Sequence, residues 1–336
     1  MPIIIDGTNG ITQAGEFNSD SSFGLKNRII NGAMVIDQRN AGASQTFTAA
    51  ADLAYSVDRW YGFCTGANVT GQQVAGSTSP TNTQFRYRFT GAASVTAVGF
   101  GQRIEQKNSY DLAGSTATLS ADLAISATLT TVTWTASYAT TTADTFGTLA
   151  SPTVTQIATG TFTVSATVTN FNAQITVPAA ATTGIQIVFT VGALTAGLTW
   201  TIGNVQLEKG STATSFDYRP YGTELALAQR YYFRVGAPNT GYHGFGAGTA
   251  QNSTTVVTYV KLPVTMRSIP SGSYGGTINL LSSALTSPSS LGITASGNYF
   301  DALRVDFVTT GQTAAGGICA YTNNTASDFI QFSSEL

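Results

Sequence analysis

The feature that most restricts this chain is a two-residue rhythm. Gln84 to Thr90 reads Gln-Phe-Arg-Tyr-Arg-Phe-Thr, which puts Phe85, Tyr87 and Phe89 on one side of an extended segment. Ala117 to Leu123, Thr131 to Tyr138, Thr161 to Val168 and Ile185 to Val191 keep the same alternation, with Gly, Asn, Thr and Pro between them. Helical spacing is almost absent. Antiparallel strands with one apolar face bury it by stacking or closure, so residues 27–220 are expected to form a two-sheet sandwich. A second, smaller β unit is expected over 231–336, from Thr254 to Leu262, Leu303 to Val308 and Phe329 to Phe332. The whole chain reads as all-β.

Composition narrows the class. Only 10% of the 336 residues are charged, against roughly 25% in ordinary soluble domains. Thr, Ser, Ala and Gly stand in their place, as in extracellular and virion β-proteins. Apolar residues at 42% and aromatics at 10% exclude a disordered tract. The net charge is −2 and no Lys/Arg cluster stands out, so no nucleic-acid footprint is expected. Met1 to Asp6 lacks the basic and apolar regions of a signal peptide, and no run reaches membrane-spanning length, so no membrane insertion is expected. Cys64 and Cys319 are read as free thiols rather than as a disulfide or metal ligands.

Residues 1–26 read as an N-terminal extended arm: Ile3-Ile4-Ile5-Asp6-Gly7 is one short strand, and Thr8 to Gly24 is Gly-, Asn- and Ser-rich without a period. Such an arm cannot bury its own surface and needs a partner to order it. The most informative stretch lies at the other end of the sandwich. Ile202, Val205 and Leu207 lead into Glu208-Lys209-Gly210, then into an arm holding Phe216, Tyr218, Arg219 and Pro220. A short connector, 221–230, precedes Tyr231-Tyr232-Phe233. This junction resembles one that recurs in tail fibre and receptor-binding proteins of tailed bacteriophages. Asn27-Arg28-Ile29-Ile30-Asn31-Gly32-Ala33-Met34 through Asp37-Gln38-Arg39, then Ser56-Val57-Asp58-Arg59-Trp60-Tyr61, resembles the opening of the same region. The two segments bracket most of the sandwich, and the last hundred residues carry no matching motif. The resemblance implies a jelly-roll body like that of carbohydrate-binding modules, in which the first strand (near Ile29 to Met34) neighbours the last (near Val205 to Tyr218). It also implies a homotrimer, a place on the virion, and an arm that binds other virion proteins.

Chemistry points the same way. Glycoside hydrolysis needs two carboxylates about 5–10 Å apart. The acids here are scattered: Asp111, Asp122 and Asp144 lie one per loop or strand, while Asp301 and Asp306 sit five apart. The lone His243 has no partner carboxylate in sequence and is not read as a general base. No catalytic, metal or cofactor residue is assigned, and the chain is not expected to be an enzyme. Trp134 and Trp200 alternate with apolar neighbours and are expected in the core. Asp58, Arg59 and Trp60 are expected to pack against Tyr218 and Arg219, with Asp58 and Arg219 closing the domain. Tyr242, His243, Phe245, Tyr274, Tyr299, Phe300 and Tyr321 sit among Gly, Ser and Asn on distal loops, where aromatic faces suit sugar C–H faces. The expected function is host attachment through surface polysaccharide, with no cofactor. A purely structural virion protein is the second reading. A capsule-cleaving enzyme built on Asp301 or Asp306 is the third, and a secreted carbohydrate-binding module the fourth.

Overall fold

The computed structural model describes residues 4–6, 10–13, 25–126, 128–282, 285–294 and 302–336. Two six-stranded antiparallel sheets form the body. One runs Val154–Thr163, Thr131–Ala139, Ile185–Val191, Ala97–Ile104, Tyr61–Thr65, Ala54–Tyr55; the other Thr169–Thr176, Thr116–Ile125, Thr199–Lys209, Phe85–Thr90, Val69–Ala75, Gln45–Phe47. The chain passes repeatedly from one sheet to the other, which is the wrapping of a jelly-roll sandwich. The alternation explains the core. Ile185, Ile187, Phe189 and Val191 point inward while the residues between them are half-buried. They meet Ala117, Leu119, Ala121, Leu123 and Ile125 from the opposite sheet in one apolar cluster. An aromatic column runs through it: Trp60 stacks on Phe100 at 4.8 Å, Phe100 on Tyr87 at 4.9 Å, and Phe89 on Trp200 at 5.4 Å. All three tryptophans lie in this core. Thr116–Ile125 is buried on its second face as well, because Thr118 donates to the Gly210 carbonyl and Asp122 accepts from Asn170 and Asn204.

The opening and closing segments of the body meet. Arg28 N donates to Leu207 O at 2.7 Å, and Val205 N to Gly32 O at 3.0 Å. Residues 29–34 are nevertheless not a strand. Asn31 and Met34 take left-handed backbone angles, φ 58° and 57°, and the segment folds as turns. The Asn31 side chain holds them by binding Ile36 N and O and Asp58 O. A side chain at position 32 would sit 2.1 Å from Val205 O, so only glycine admits the close approach.

The expected lock between Asp58 and Arg219 does not form. Arg219 binds Glu224 at 3.1 Å and the carbonyls of Asn27 and Ile29, tying the arm to the opening turn and to the helix that follows. Tyr218 remains half-exposed, edge-on to Phe216 at 4.9 Å. Trp60 is on the other side of that turn, donating from Nε1 to Asn31 O at 3.0 Å. Asp58 instead accepts the Gln38 backbone N–H at 2.7 Å. The reason is topological: the 37–42 turn, not the 211–220 arm, covers Asp58.

Residues Tyr221–Gln229 form a helix entered from Pro220, a residue suited to a helix start. Its buried Ala228 packs with Ile30, Ile36 and Tyr231 between the two β units. The second unit has a seven-stranded sheet, ordered Leu285–Thr286, Ile278–Leu281, Gly317–Thr322, Gly244–Ala250, Thr255–Lys261, Ala302–Val308, Ser290–Thr294. A three-stranded sheet, Tyr232–Gly236, Phe329–Ser333, Ser271–Gly275, packs against it over Val256, Phe307, Ile330 and Phe332. At the amino end, Ile4–Asp6 pairs with Gly10–Gln13; the rest of the expected arm up to Gly24 lies outside the described residues.

The body and this second unit, the tip, are joined by charge. Arg230 forks onto Glu105 at 2.9 Å, and Tyr231 Oη donates to the same carboxylate at 2.9 Å. Arg59, φ 73° and fully buried, lies over the Tyr231 ring at 3.6 Å and pairs with Glu335. Arg39 also pairs with Glu335, at 2.9 Å, and covers Tyr232 at 3.5 Å. Arg103 and Tyr55 donate to the Leu336 carbonyl at 2.9 and 2.6 Å.

Burial pushes the Asp58 carboxyl up to about 6, against the pull of Arg39 and the Gln38 amide. Folded Asp58 therefore keeps its proton to higher pH than an unfolded carboxyl at 3.8, and the stability this gives is lost as pH rises between those values. Measured against Asp58→Asn, the wild type is expected to lose on the order of 2–3 kcal/mol of unfolding free energy between about pH 4 and about pH 6, then run parallel above it. Urea titrations at stepped pH check this, and curves parallel throughout would refute it.

Candidate functional site

The distal end of the seven-stranded sheet carries an open groove of about 490 Å³, lined by Tyr242, Asn279, Leu285, Tyr321 and Asn323. Strand register builds it. Asn279 and Gly244 are both cross-strand partners of Tyr321, so the amide and the phenol ring share the outer face of the sheet. Tyr242 precedes the Gly244–Ala250 strand and is 67% exposed. Its loop is pinned to fully buried Thr322: His243 N donates to Thr322 Oγ1 at 3.2 Å, and Thr322 N to His243 O at 3.0 Å. That fixes Tyr242 edge-on to Tyr321, with ring centres 5.8 Å apart and planes at 76°. Asn323 is anchored through its backbone N–H on Thr277 O at 3.0 Å. Only a long contact, 3.4 Å from Asn279 Nδ2 to Asn323 Oδ1, links the two amides. The groove thus offers one free aromatic face, one apolar wall and two amides. These are parts for non-covalent recognition of a hydroxylated ligand.

The distal aromatics expected to act together are divided by the fold. Tyr242 and Tyr321 share the groove. Phe245 does not: it faces the core, with its ring 6.2 Å from Phe307, because the strand alternation already applies at the second residue of Gly244–Ala250. Tyr274 packs partly buried against the same core and donates its hydroxyl to Pro288 O at 2.9 Å. His243 does not line the groove; its ring lies beside Gly241, and its buried Nε2 has no hydrogen-bond partner. Tyr299, Phe300 and Asp301 lie outside the described residues. Asp306 pairs with Arg304 at 2.9 Å. Both cysteines are free, Cys64 buried and Cys319 exposed. Among the described residues, no group of three or more His, Cys, Asp or Glu is arranged to hold a metal.

The sequence reading missed Asn279, Leu285 and Asn323. The alternation of Ile278 and Leu280 inward does put Asn279 outward, but nothing local pairs that strand with Gly317–Thr322. A second concavity, about 420 Å³, lies on the body between residues 50–52 and 148–150. Phe63 lines it, its ring lying across Gly99 where a Cβ would meet it at 2.1 Å. Asp52 bridges the two walls by accepting Leu149 N and Leu53 N, and these bonds hold its carboxyl below the ordinary carboxylate range.

No family model and no curated protein matches the sequence. Several solved structures are similar over part of the chain. One is the enzymatically active domain of tailspike protein 4 of bacteriophage CBA120, at 16% identity and TM-score 0.32, over 45% of this chain and 19% of that one. The chain therefore spans about a fifth of that protein's length. Another is a family 61 carbohydrate-binding module, TmCBM61, solved with β-1,4-galactotriose, at 13% identity and TM-score 0.31, over 45% of this chain and 88% of that one. A third is the C-terminal family 22 carbohydrate-binding module of Clostridium thermocellum Xyn10B, at 12% identity and TM-score 0.33, over 49% and 95%.

Core and groove aromatics are expected to separate on substitution. Phe245→Ala should cost about 3–5 kcal/mol of stability, as large-to-small core changes do. Tyr242→Ala should stay within about 0.5 kcal/mol of wild type, as exposed changes do. Chemical denaturation of the two variants decides it; equal losses would put Tyr242 in the core's packing.

Proposed function

We propose that this protein is a tail fibre or related external appendage protein of a bacteriophage virion, and that it attaches the particle to host-surface glycan. The observation that carries the reading is the distal groove, where a two-thirds exposed tyrosine stands edge-on to a second tyrosine beside two amides. Tyrosine faces stack on sugar C–H faces, and amides bond to hydroxyls. The phage-like junction at 27–61 and 202–233 supplies the virion context. In this reading the N-terminal arm binds other virion proteins, three chains assemble, and no cofactor or catalysis is involved. An open groove with one free ring gives weak single-site affinity, and multivalency converts it into firm attachment.

The charged joint favours a second reading, a structural virion protein without a receptor. Arg59, Arg39 and Glu335 fix the tip on the body, which is what a connector or baseplate part needs.

Fluorescently labelled full-length chain on candidate host cells separates the two. The attachment reading expects labelling that drops about tenfold or more in Tyr242→Ala, as for a central interface anchor. Absence of labelling on every host the particle infects would favour the structural reading. Sedimentation of the same sample is expected to give the mass of three chains.

A further inference from the structure

We propose that the Tyr242–Tyr321 groove is built for an uncharged sugar, a neutral hexose or N-acetylhexosamine, and selects it over uronates and sialic acids. The inference rests on the glycan-attachment reading and names the class of sugar that the site takes. It follows from which polar groups the groove presents. The two polar lining residues besides the phenols are Asn279 and Asn323. Asn279 is only 5% exposed and rides on a strand paired through Tyr321, so its amide is held in place. The contact between the amides uses Asn279 Nδ2 and Asn323 Oδ1 and is long, 3.4 Å. Among the described residues, no other side-chain hydrogen bond engages either amide, which leaves Asn279 Oδ1 as an acceptor and Asn323 Nδ2 as a donor facing the groove. A sugar hydroxyl can donate to the first and accept from the second, and an N-acetyl group can do the same through its N–H and C=O.

A sugar carboxylate finds no equivalent. No guanidinium or ammonium lines the groove among the described residues. On the same sheet, Arg304 is already engaged by Asp306 at 2.9 Å. A carboxylate brought against Tyr242, Tyr321 and Leu285 would lose water without gaining a cation, which costs affinity. The apolar parts agree. Leu285, 58% exposed, and the free Tyr242 face present apolar surface suited to the C–H face of a pyranose. Among the described residues, the lining also has no carboxylate with which to bridge a sugar through calcium.

The test is direct binding of full-length chain to matched probes: lactose against sialyllactose, and cello-oligosaccharides against their C6-oxidised uronates. Neutral probes are expected to bind about tenfold or more tightly than their charged partners, with and without a chelator. Asn323→Asp is expected to weaken neutral binding about tenfold while leaving the thermal midpoint unchanged, and Asn323→Lys to raise uronate binding. Equal or tighter binding of the charged probes overturns the inference and leaves attachment standing. If no neutral probe binds, the inference falls. If cells also show no Tyr242-dependent labelling, the attachment reading falls with it.

Discussion

The contact on which the rest of the structure depends is the buried one between Arg59, Tyr231 and Glu335. Arg59 belongs to the body and the other two to the tip, and the guanidinium lies over the ring and pairs with the carboxylate with almost no exposure. Removing its charged partner would leave a buried cation, which costs more than the pair is worth when whole. Such a contact specifies one relative placement of two β units whose shared apolar cluster, Ile30, Ile36, Ala228 and Tyr231, has no direction of its own. Arg230 on Glu105 and Arg39 on Glu335 repeat the device. In a chain with only 15 Lys and Arg, the gathering of Arg39, Arg59, Arg103, Arg230, Arg234 and Arg267 near one joint explains where its scarce charge goes.

Scarcity of charge shapes the remaining surface too. The body buries its strands on aromatic stacking and leaves Thr, Ser and Gly outside. The tip's seven-stranded sheet carries Gly244, Ala247, Thr249, Gly317 and Cys319 on its outer face. Tyr259 also protrudes on that face, 59% exposed and opposite Ala247, so what sets Tyr242 apart is the pair of amides beside it. The same frame that fixes Tyr242 fixes the amides beside it. Thr322 pins the loop and strand register places Asn279, so the groove's geometry rests on strands rather than on loops alone.

The all-β class is written in the alternation, since a period of two is local and survives without any knowledge of partners. Trp134 and Trp200 were legible as core for the same reason. Phe245 was misread because its glycine neighbours look like loop, yet the strand begins at Gly244 and turns the ring inward. Asp58 and Arg219 were misread because two charged residues in signature segments invite pairing, whereas the closing of the 37–42 turn over Asp58 is a matter of three-dimensional order.

The sequence by itself determined the alternating strands of the body and their apolar faces. Only the tertiary structure decided which distal aromatics meet, which amides stand beside them, and how body and tip are joined. Alternation specifies which side of a strand a residue occupies. Strand order specifies its neighbours, and that order depends on pairings between residues as distant as Asn279 and Tyr321, or Arg59 and Glu335.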